Sequence, residues 1–495
     1  MDNKNAEFFK GVPFRDWLAD GLHEWRAPFS DPSVLNVILR DLSRSFVLSL
    51  ERMLGCELYV KKSLNDPDRV PRRFYSLLEK WADNEVIENI SFPEPIAGWP
   101  RLPALHIRGH YDVTASGYGL DYDVASTKAI AEILERSSLA TWDEKKIMRG
   151  SYADLKSRGA VDPEIFTAFS KNQLAREEYA SHCIDAQSVL QWISCASLLD
   201  RGRVLIPAQI IYLQFAQTKN ESVIRQATSN GAAAGASYEM ALHNAICESI
   251  ERDALMIHWL NNITPPRVSL ESLTRFKNDT INTILDEYKK YEIDVSLLDI
   301  TTDIGVPVFM ATIRDIAKGW PLIFISPRAD LDIESAIAAC LLDGLRAGYW
   351  PKVSEDLIRD AESTEFHIDT FDKRRAYWCL PDASAKIEFL FEGRVKEIGE
   401  NSFQSANFAT KLQKMKELLI AQKLETYIAD ITSGTAKEAG LKVLKVIIPE
   451  LYPLYLDERY KYLGIKRLYR APIKMGAFTS PKKENELNIS PHPML

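Results

Sequence analysis

The chain has 495 residues, 46% of them hydrophobic, and 61 Lys and Arg against 69 Asp and Glu give a formal charge of −8. A chain of this length buries a substantial core, and its acidic balance argues against a general nucleic-acid binder, which carries a basic stripe to neutralise phosphates. It has no 18-residue apolar run to span a membrane, no apolar stretch behind a basic start in MDNKNAEFFKGVPF, and only six scattered cysteines (Cys56, Cys183, Cys195, Cys247, Cys340, Cys379), so a cytoplasmic protein with reduced thiols is expected.

In chain order, residues 33–57 carry a helical pattern and 74–88 suggest another helix, followed by prolines at 71, 93, 95, 100 and 103 around and after it. Leu105 to Gly109 reads as a strand, Gly117 and Gly119 as a turn, and 122–139 as a helix. Arg203 to Pro207 and Ile210 to Leu213 are strand-like, with the proline favouring an edge. Ser229 to Gly235 reads as a small-residue turn before the strongest helix, 237–260. Pro307 to Ile313, Pro321 to Ile325 and Leu441 to Ile448 suggest strands, and 332–347 and 403–430 helices. Lys411, Lys414 and Lys416 among Leu412, Met415 and Leu418 make a basic amphipathic face, for which packing on the core is preferred over partner binding. Alternating strands and helices predict an α/β or α+β fold. The expected divisions are an N-terminal region 1–100, separate from or part of the main domain, a catalytic region 101–475, and a flexible proline-containing tail 476–495.

Two helices repeat one pattern 116 residues apart: AIAEILER at 129–136 and AICESIER at 245–252. Residues three apart share a helical face, so Glu132 with Glu135, and Glu248 with Glu251, form two carboxylate pairs. Their mutual repulsion grows with burial, and a divalent cation relieves it. Mg²⁺ prefers such oxygens and bridges carboxylates to nucleotide phosphates, while Arg136 and Arg252 suit phosphate oxygens. The plainer reading is two solvated faces whose Glu–Arg pairs are worth about 0.3–0.5 kcal/mol. The repetition, with a small-residue run upstream of each copy, favours a shared site. Ser229-Asn230-Gly231 offers N–H groups and polar side chains for an anion or ribose, without the Gly-Lys-Ser/Thr of a Walker motif.

GLDYDVASTKAIAEILER at 119–136 and SNGAAAGASYEMALHNAICESIERDA at 229–254 resemble the YcaO superfamily, and within it the azoline-forming cyclodehydratase component of ribosomal peptide biosynthesis. Ser151-Tyr152, Asp162-Pro163, VLIPAQIIY at 204–212 and KRLYRAP at 466–472 support the resemblance over roughly residues 100–475. It implies a YcaO-type fold with ATP between glutamate-bearing helices packed on β-sheet. Glu132, Glu135, Glu248 and Glu251 would hold Mg²⁺, and Arg252 would reach the phosphates. Cofactor contacts would also come from Ser229, Asn230, Lys128, Asn244 and Asp343. The activity implied is ATP-dependent closure of Cys, Ser or Thr onto the preceding amide, giving a thiazoline or oxazoline.

Three departures qualify the resemblance. Lys128 and Asn244 stand where the family often has serine, four residues before the first glutamate of each motif. Asp343, in AIAACLLDGLR at 336–346, stands where a later helix brings a glutamate. The end, Ser490-Pro491-His492-Pro493-Met494-Leu495, offers two prolines of the Pro-x-Pro-x-Pro tail that contributes to the active site of azoline-forming members, and Pro491 and Pro493 are assigned there with Arg252. The alternatives are a thioamide synthetase, with the same ATP machinery and a sulfur donor, and a non-catalytic ATP- or peptide-binding scaffold. Implied partners are a ribosomal precursor peptide, a protein recognising its leader, a flavin-dependent azoline dehydrogenase and a second copy of the chain.

Overall fold

The computed structural model describes residues 69–494 apart from 84–85, 111–112, 200–201, 219–220 and 318. The helical pattern at 33–57, Cys56 and Leu495 lie outside the described residues. The strands begin with β1 (Ile87–Ser91), β2 (Ala104–Gly109), β3 (Thr114–Tyr118), β4 (Met148–Ser151) and β5 (Val189–Ser197). They continue with β6 (Arg203–Pro207), β7 (Ala232–Gly235), β8 (Arg267–Val268), β9 (Val295–Asp299) and β10 (Val308–Arg314). The last are β11 (Ile323–Ala329), β12 (Val395–Lys396), β13 (Tyr427–Asp430) and β14 (Lys442–Ile447). The longer helices are α1 (Tyr75–Asp83), α2 (Tyr122–Leu139), α3 (Tyr238–Asn261) and α4 (Asp279–Lys290), then α5 (Ile333–Gly344), α6 (Phe408–Ala421) and α7 (Lys466–Lys474).

Three sheets sandwich the two motif helices. One has the order β1-β2-β3, one β11-β10-β9-β8-β12, and one β4-β5-β13-β14-β7 with β6 on β5. Pairing is antiparallel except between β8 and β12. Helix α2 packs on β2 and β3 and on β7 of the six-stranded sheet, whereas α3 packs on β7 and β14 and also on β11. The mixed α/β class and the two motif helices agree with the sequence reading, and β6 has the edge position that Pro207 favours.

Five local expectations change. Gly117 lies within β3 and Ala232 to Gly235 form β7, because their small side chains let a strand lie directly against the following helix. A Cβ on Gly117 would sit 1.8 Å from the Ala125 carbonyl oxygen, and one on Gly235 would sit 2.6 Å from Ala241 N. Ile210 to Leu213 is turn rather than strand, and 403–430 is α6 followed by β13. The 74–88 pattern divides between α1 and the start of β1.

Each motif helix starts at a defined cap. Asp121 accepts a hydrogen bond from Val124 N, and Ser237 from Met240 N, satisfying donors that the first turn leaves free. The repeat is therefore a strand, a small-residue contact, a cap and a helix. On α6, Lys411 is buried and ion-paired with Asp330 at 2.9 Å while Leu412 and Met415 enter the core, in line with packing.

Gly117→Ala is expected to cost on the order of 1–3 kcal/mol through overpacking. Gly399→Ala, with nothing within 4 Å of its added methyl, is expected to change stability by less than about 0.5 kcal/mol. Urea unfolding midpoints of the two variants check this; equal midpoints would contradict the close approach.

Candidate active site

The first glutamate of each motif is held alike. Glu132 Oε2 accepts a hydrogen bond from Ser116 N at 2.8 Å, and its Oε1 one from Arg136 Nη2 at 2.7 Å. Glu248 Oε2 accepts one from Gly231 N at 3.0 Å, and its Oε1 one from Arg252 Nη2 at 3.3 Å. In both units a backbone N–H from the segment before the helix and an arginine one turn onward fix the carboxylate. The repetition extends from the residues to their partners.

The second glutamates join the units. Glu135, on α2, accepts a hydrogen bond from Ala234 N on β7, the strand that leads to α3. Burial, and then the charges of Glu248 and Glu132, push its pKa well above the usual carboxylate value; Arg136 opposes them. Glu251, on α3, is 3% exposed. It accepts from Arg252 Nη1 at 2.8 Å, Arg328 Nη1 at 3.3 Å and Ala329 N at 3.3 Å. Burial raises its pKa while Arg252 and Arg328 pull it back.

Arg328 links Glu251 to Asp343, which it also hydrogen-bonds, and Arg346 Nη1 lies 3.8 Å from the same aspartate. Lys128 is open to solvent at its surface yet closely surrounded by protein. Desolvation, followed by repulsion from Arg328 and Arg346, pulls its pKa down to about 8. The Ser229 carbonyl accepts from Ala232 N at 2.8 Å, closing the turn. Lys445 Nζ donates to the carbonyls of Thr228 at 2.7 Å and Asn230 at 2.5 Å. Asn244 Oδ1 lies 3.2 Å from His243 Nδ1, a partner on its own helix.

The tail is packed rather than free. Trp259 Nε1 donates to the Ser490 carbonyl at 3.1 Å, His492 Nε2 lies 2.8 Å from the Tyr455 carbonyl, and Arg374 Nη1 donates to the His492 carbonyl at 3.0 Å. Pro491, His492 and Pro493 are buried, and Met494 Sδ lies 3.8 Å from Arg252 Nη1. The flexible tail expected from its polar composition is thus corrected. Buried Trp259 and Arg374 need acceptors, and the tail backbone provides them.

Among the described residues no three His, Cys, Asp or Glu side chains stand together as a preformed metal cage. Glu132, Glu248 and Glu251 are held by arginines and backbone N–H groups, whereas Glu135 is the least compensated of the four glutamates. Arg328 was not anticipated, and neither was Lys445; a charged residue inside each apolar strand was the available signal. The donor set nevertheless suits a metal and a polyphosphate. Glu135 is buried under the charges of two other carboxylates, and the buried Asn230 Nδ2, Arg252 Nε and Arg346 Nε have no hydrogen-bond partner.

Residues 116–452 match the YcaO cyclodehydratases, described as ATP- and Mg²⁺-binding. The chain belongs to the YcaO family. Membership makes it an ATP-dependent enzyme with ATP and Mg²⁺ as cofactors. An uncharacterized protein of Methanothermobacter thermautotrophicus is 23% identical over 277 residues, covering 55% of this chain and 68% of its own. An uncharacterized protein in the tfuA 3′ region of Rhizobium leguminosarum bv. trifolii is 24% identical over 357 residues, covering 71% and 79%.

The YcaO fold also appears in three solved structures. A heterocyclase in complex with substrate and cofactor superposes with TM-score 0.66 at 21% identity, covering 83% of this chain and 55% of that one. The heterocyclase TruD gives 0.58 at 20%, covering 85% and 64%. The match thus spans less than two thirds of either heterocyclase. YcaO of Methanopyrus kandleri, bound with AMPPCP and Mg²⁺, gives 0.55 at 16%, covering 81% and 93%.

Glu135→Gln is expected to raise the urea midpoint of the metal-free protein at pH 7 to 8. A carboxyl whose folded pKa is raised destabilises the fold once ionised, and that cost is withdrawn as pH falls through the raised value toward 4.5. The gap between variant and wild type should therefore narrow on acidification. A gap independent of pH would contradict the assigned burial and repulsion.

Proposed function

We propose that this YcaO protein is the cyclodehydratase subunit of a peptide-modifying system, forming thiazolines or (methyl)oxazolines from Cys, Ser or Thr of a ribosomal precursor peptide. The observation that carries this reading is the seating of the tail: Pro491 and Pro493 are buried and Met494 reaches Arg252 of the second motif. Seating of Pro491 to Met494 against the second glutamate-bearing helix agrees with what the Pro-x-Pro pattern implies for azoline-forming members.

In this reading Glu132, Glu135, Glu248 and Glu251 hold Mg²⁺, with Asp343 as a fifth carboxylate. ATP there would supply the phosphoryl group for the oxygen of the adduct formed when the peptide's Cys, Ser or Thr side chain adds to the preceding amide carbonyl, so that this oxygen leaves as phosphate and the azoline remains. Arg252, Arg328 and Arg346 then exchange their carboxylate partners for phosphate oxygens, an exchange suited to guanidinium. Asn230, Ser229, Asn244 and Lys128 orient the nucleotide. The chain needs no nucleophile of its own, because the peptide provides it. Its work is alignment and neutralisation of charge.

The catalytic region extends over 101–475, with the tail completing the site. The proposed partners are the precursor peptide, a protein that recognises its leader, a flavin-dependent dehydrogenase acting on the azoline, and a second copy of the chain.

Incubation of the precursor with this protein, its leader-recognising partner and Mg-ATP, followed by intact-mass analysis, tests the proposal. Loss of one water per ring is expected. Exchange of oxygen for sulfur in the presence of a sulfur donor would assign thioamide formation instead, and an unchanged peptide would leave a scaffold. Deleting residues 491–495 is expected to slow ring formation by about tenfold or more while nucleotide affinity stays within about twofold. Equal losses in both would contradict a role for the tail in the chemistry.

A further inference from the structure

Between the two tail prolines, His492 is fully buried. Its Nε2 lies 2.8 Å from the Tyr455 carbonyl, and its ring meets that of Tyr455 edge-on at a centroid distance of 5.0 Å. A carbonyl oxygen only accepts, so Nε2 carries the proton. Nδ1 then keeps a lone pair, and this buried atom has no hydrogen-bond partner among the described residues. A second proton on the ring would stand at Nδ1 with nothing to accept it.

Cations face the tail from three elements. From the helix Phe371–Tyr377, Arg374 Nη1 donates to the carbonyl of His492 itself. Beyond Tyr455 in the chain, Lys461 Nζ donates to the Ile489 carbonyl at 2.7 Å, and from α3 Arg252 reaches Met494. The carboxylate of this cluster, Glu458, lies beside the Tyr455 hydroxyl and is already taken by Arg374 and by Lys461 Nζ at 3.3 Å. Burial is the largest cause holding the imidazole well below its ordinary 6.5; Arg374, Lys461 and Arg252 act in the same sense, and the hydrogen bond to Tyr455 opposes them.

We propose that His492 is a positioning residue for ring formation: its neutral imidazole keys the tail against the Tyr455 segment and α3, and a proton on it releases the tail. The role rests on the cyclodehydratase reading above, which supplies the chemistry that tail seating serves. Release returns the imidazole to water, where it titrates near its ordinary value of about 6.5. Seating is therefore at full strength above that value and weakens as pH falls through it toward the lowered value of the seated ring. At pH 5.5 the loss amounts to about tenfold. The proposed nucleotide contacts do not include His492, so its protonation lowers the rate of ring formation and not the affinity for ATP.

Hydrogen exchange of the tail amides, read by mass spectrometry on the full chain, reports the seating without any substrate; Asn488 N, which donates to the Leu260 carbonyl at 2.7 Å, is among them. After correction for intrinsic exchange rates, protection of residues 488–494 is expected to fall about tenfold from pH 7.5 to 5.5 in the wild type. His492→Gln keeps a donor for the Tyr455 carbonyl and takes up no proton, so its protection should stay within about twofold. The kcat of ring formation should show the same contrast between the two proteins, with KM for ATP within about twofold at each pH. His492→Leu lacks the donor and should lose about tenfold in both protection and kcat already at pH 7.5. Wild-type protection that does not change with pH, or an equal fall in His492→Gln, would overturn the proposal, as would a tail that loosens while kcat is unaffected. If neither variant folds, exchange in the wild type decides alone. Acid release of the tail in a protein that modifies no peptide would reject the cyclodehydratase reading and leave the proton-linked seating standing.

Discussion

Carboxylates crowded into a partly buried cleft raise one another's cost of ionisation, and the arrangement around α2 and α3 answers that repulsion. Glu132 and Glu248 each have a backbone N–H and an arginine. Glu251 has two arginines, one of which also holds Asp343. Glu135 is the exception: its burial beside Glu132 and Glu248 leaves its charge the least compensated. A divalent cation is the economical remedy, and phosphate oxygens are natural new partners for the displaced arginines. Arg136, Arg252 and Arg328 hold the other carboxylates of the cleft through their guanidinium groups.

The scaffold follows from the same requirement. Two strand-to-helix units must bring their carboxylate faces together, so α2 and α3 share the six-stranded sheet through β7. Such closeness depends on the absence of side chains at Gly117 and Gly235, where the strand and helix backbones nearly touch. The third unit, β11 with α5, approaches α3 from the other side and delivers Arg328 and Asp343. The tail then crosses the C-terminal half of α3, where Trp259 and Arg374 bind its backbone and Met494 reaches Arg252.

The parts most legible in the sequence were those with a regular period. Helices α2 and α3, with their glutamates, follow from apolar spacing and from repetition of one motif. Strand β7 was hidden because Ala232 to Gly235 have the composition of a turn, although here small residues serve a packing contact. The end of α6 ran into β13 because Leu424 continued the apolar pattern across the break. The tail's polar composition concealed its docking, since its backbone carbonyls make two of the decisive bonds. Arg328 and Lys445 were missed for a related reason: one charge in an apolar strand has meaning only when its tertiary partner is known. The arginine-compensated state of the glutamates is likewise a tertiary fact that spacing along a helix does not contain.

The central claim is that the two repeated motifs build one site. A double-mutant cycle on Glu132→Gln and Glu248→Gln, read as Mg²⁺-dependent ATP affinity, tests it most directly. Residues serving one shared cation and phosphate set should couple by about 1 kcal/mol or more, so that the double variant loses less than the summed single losses. Single losses that add to within about 0.5 kcal/mol would mean independent sites and contradict the account.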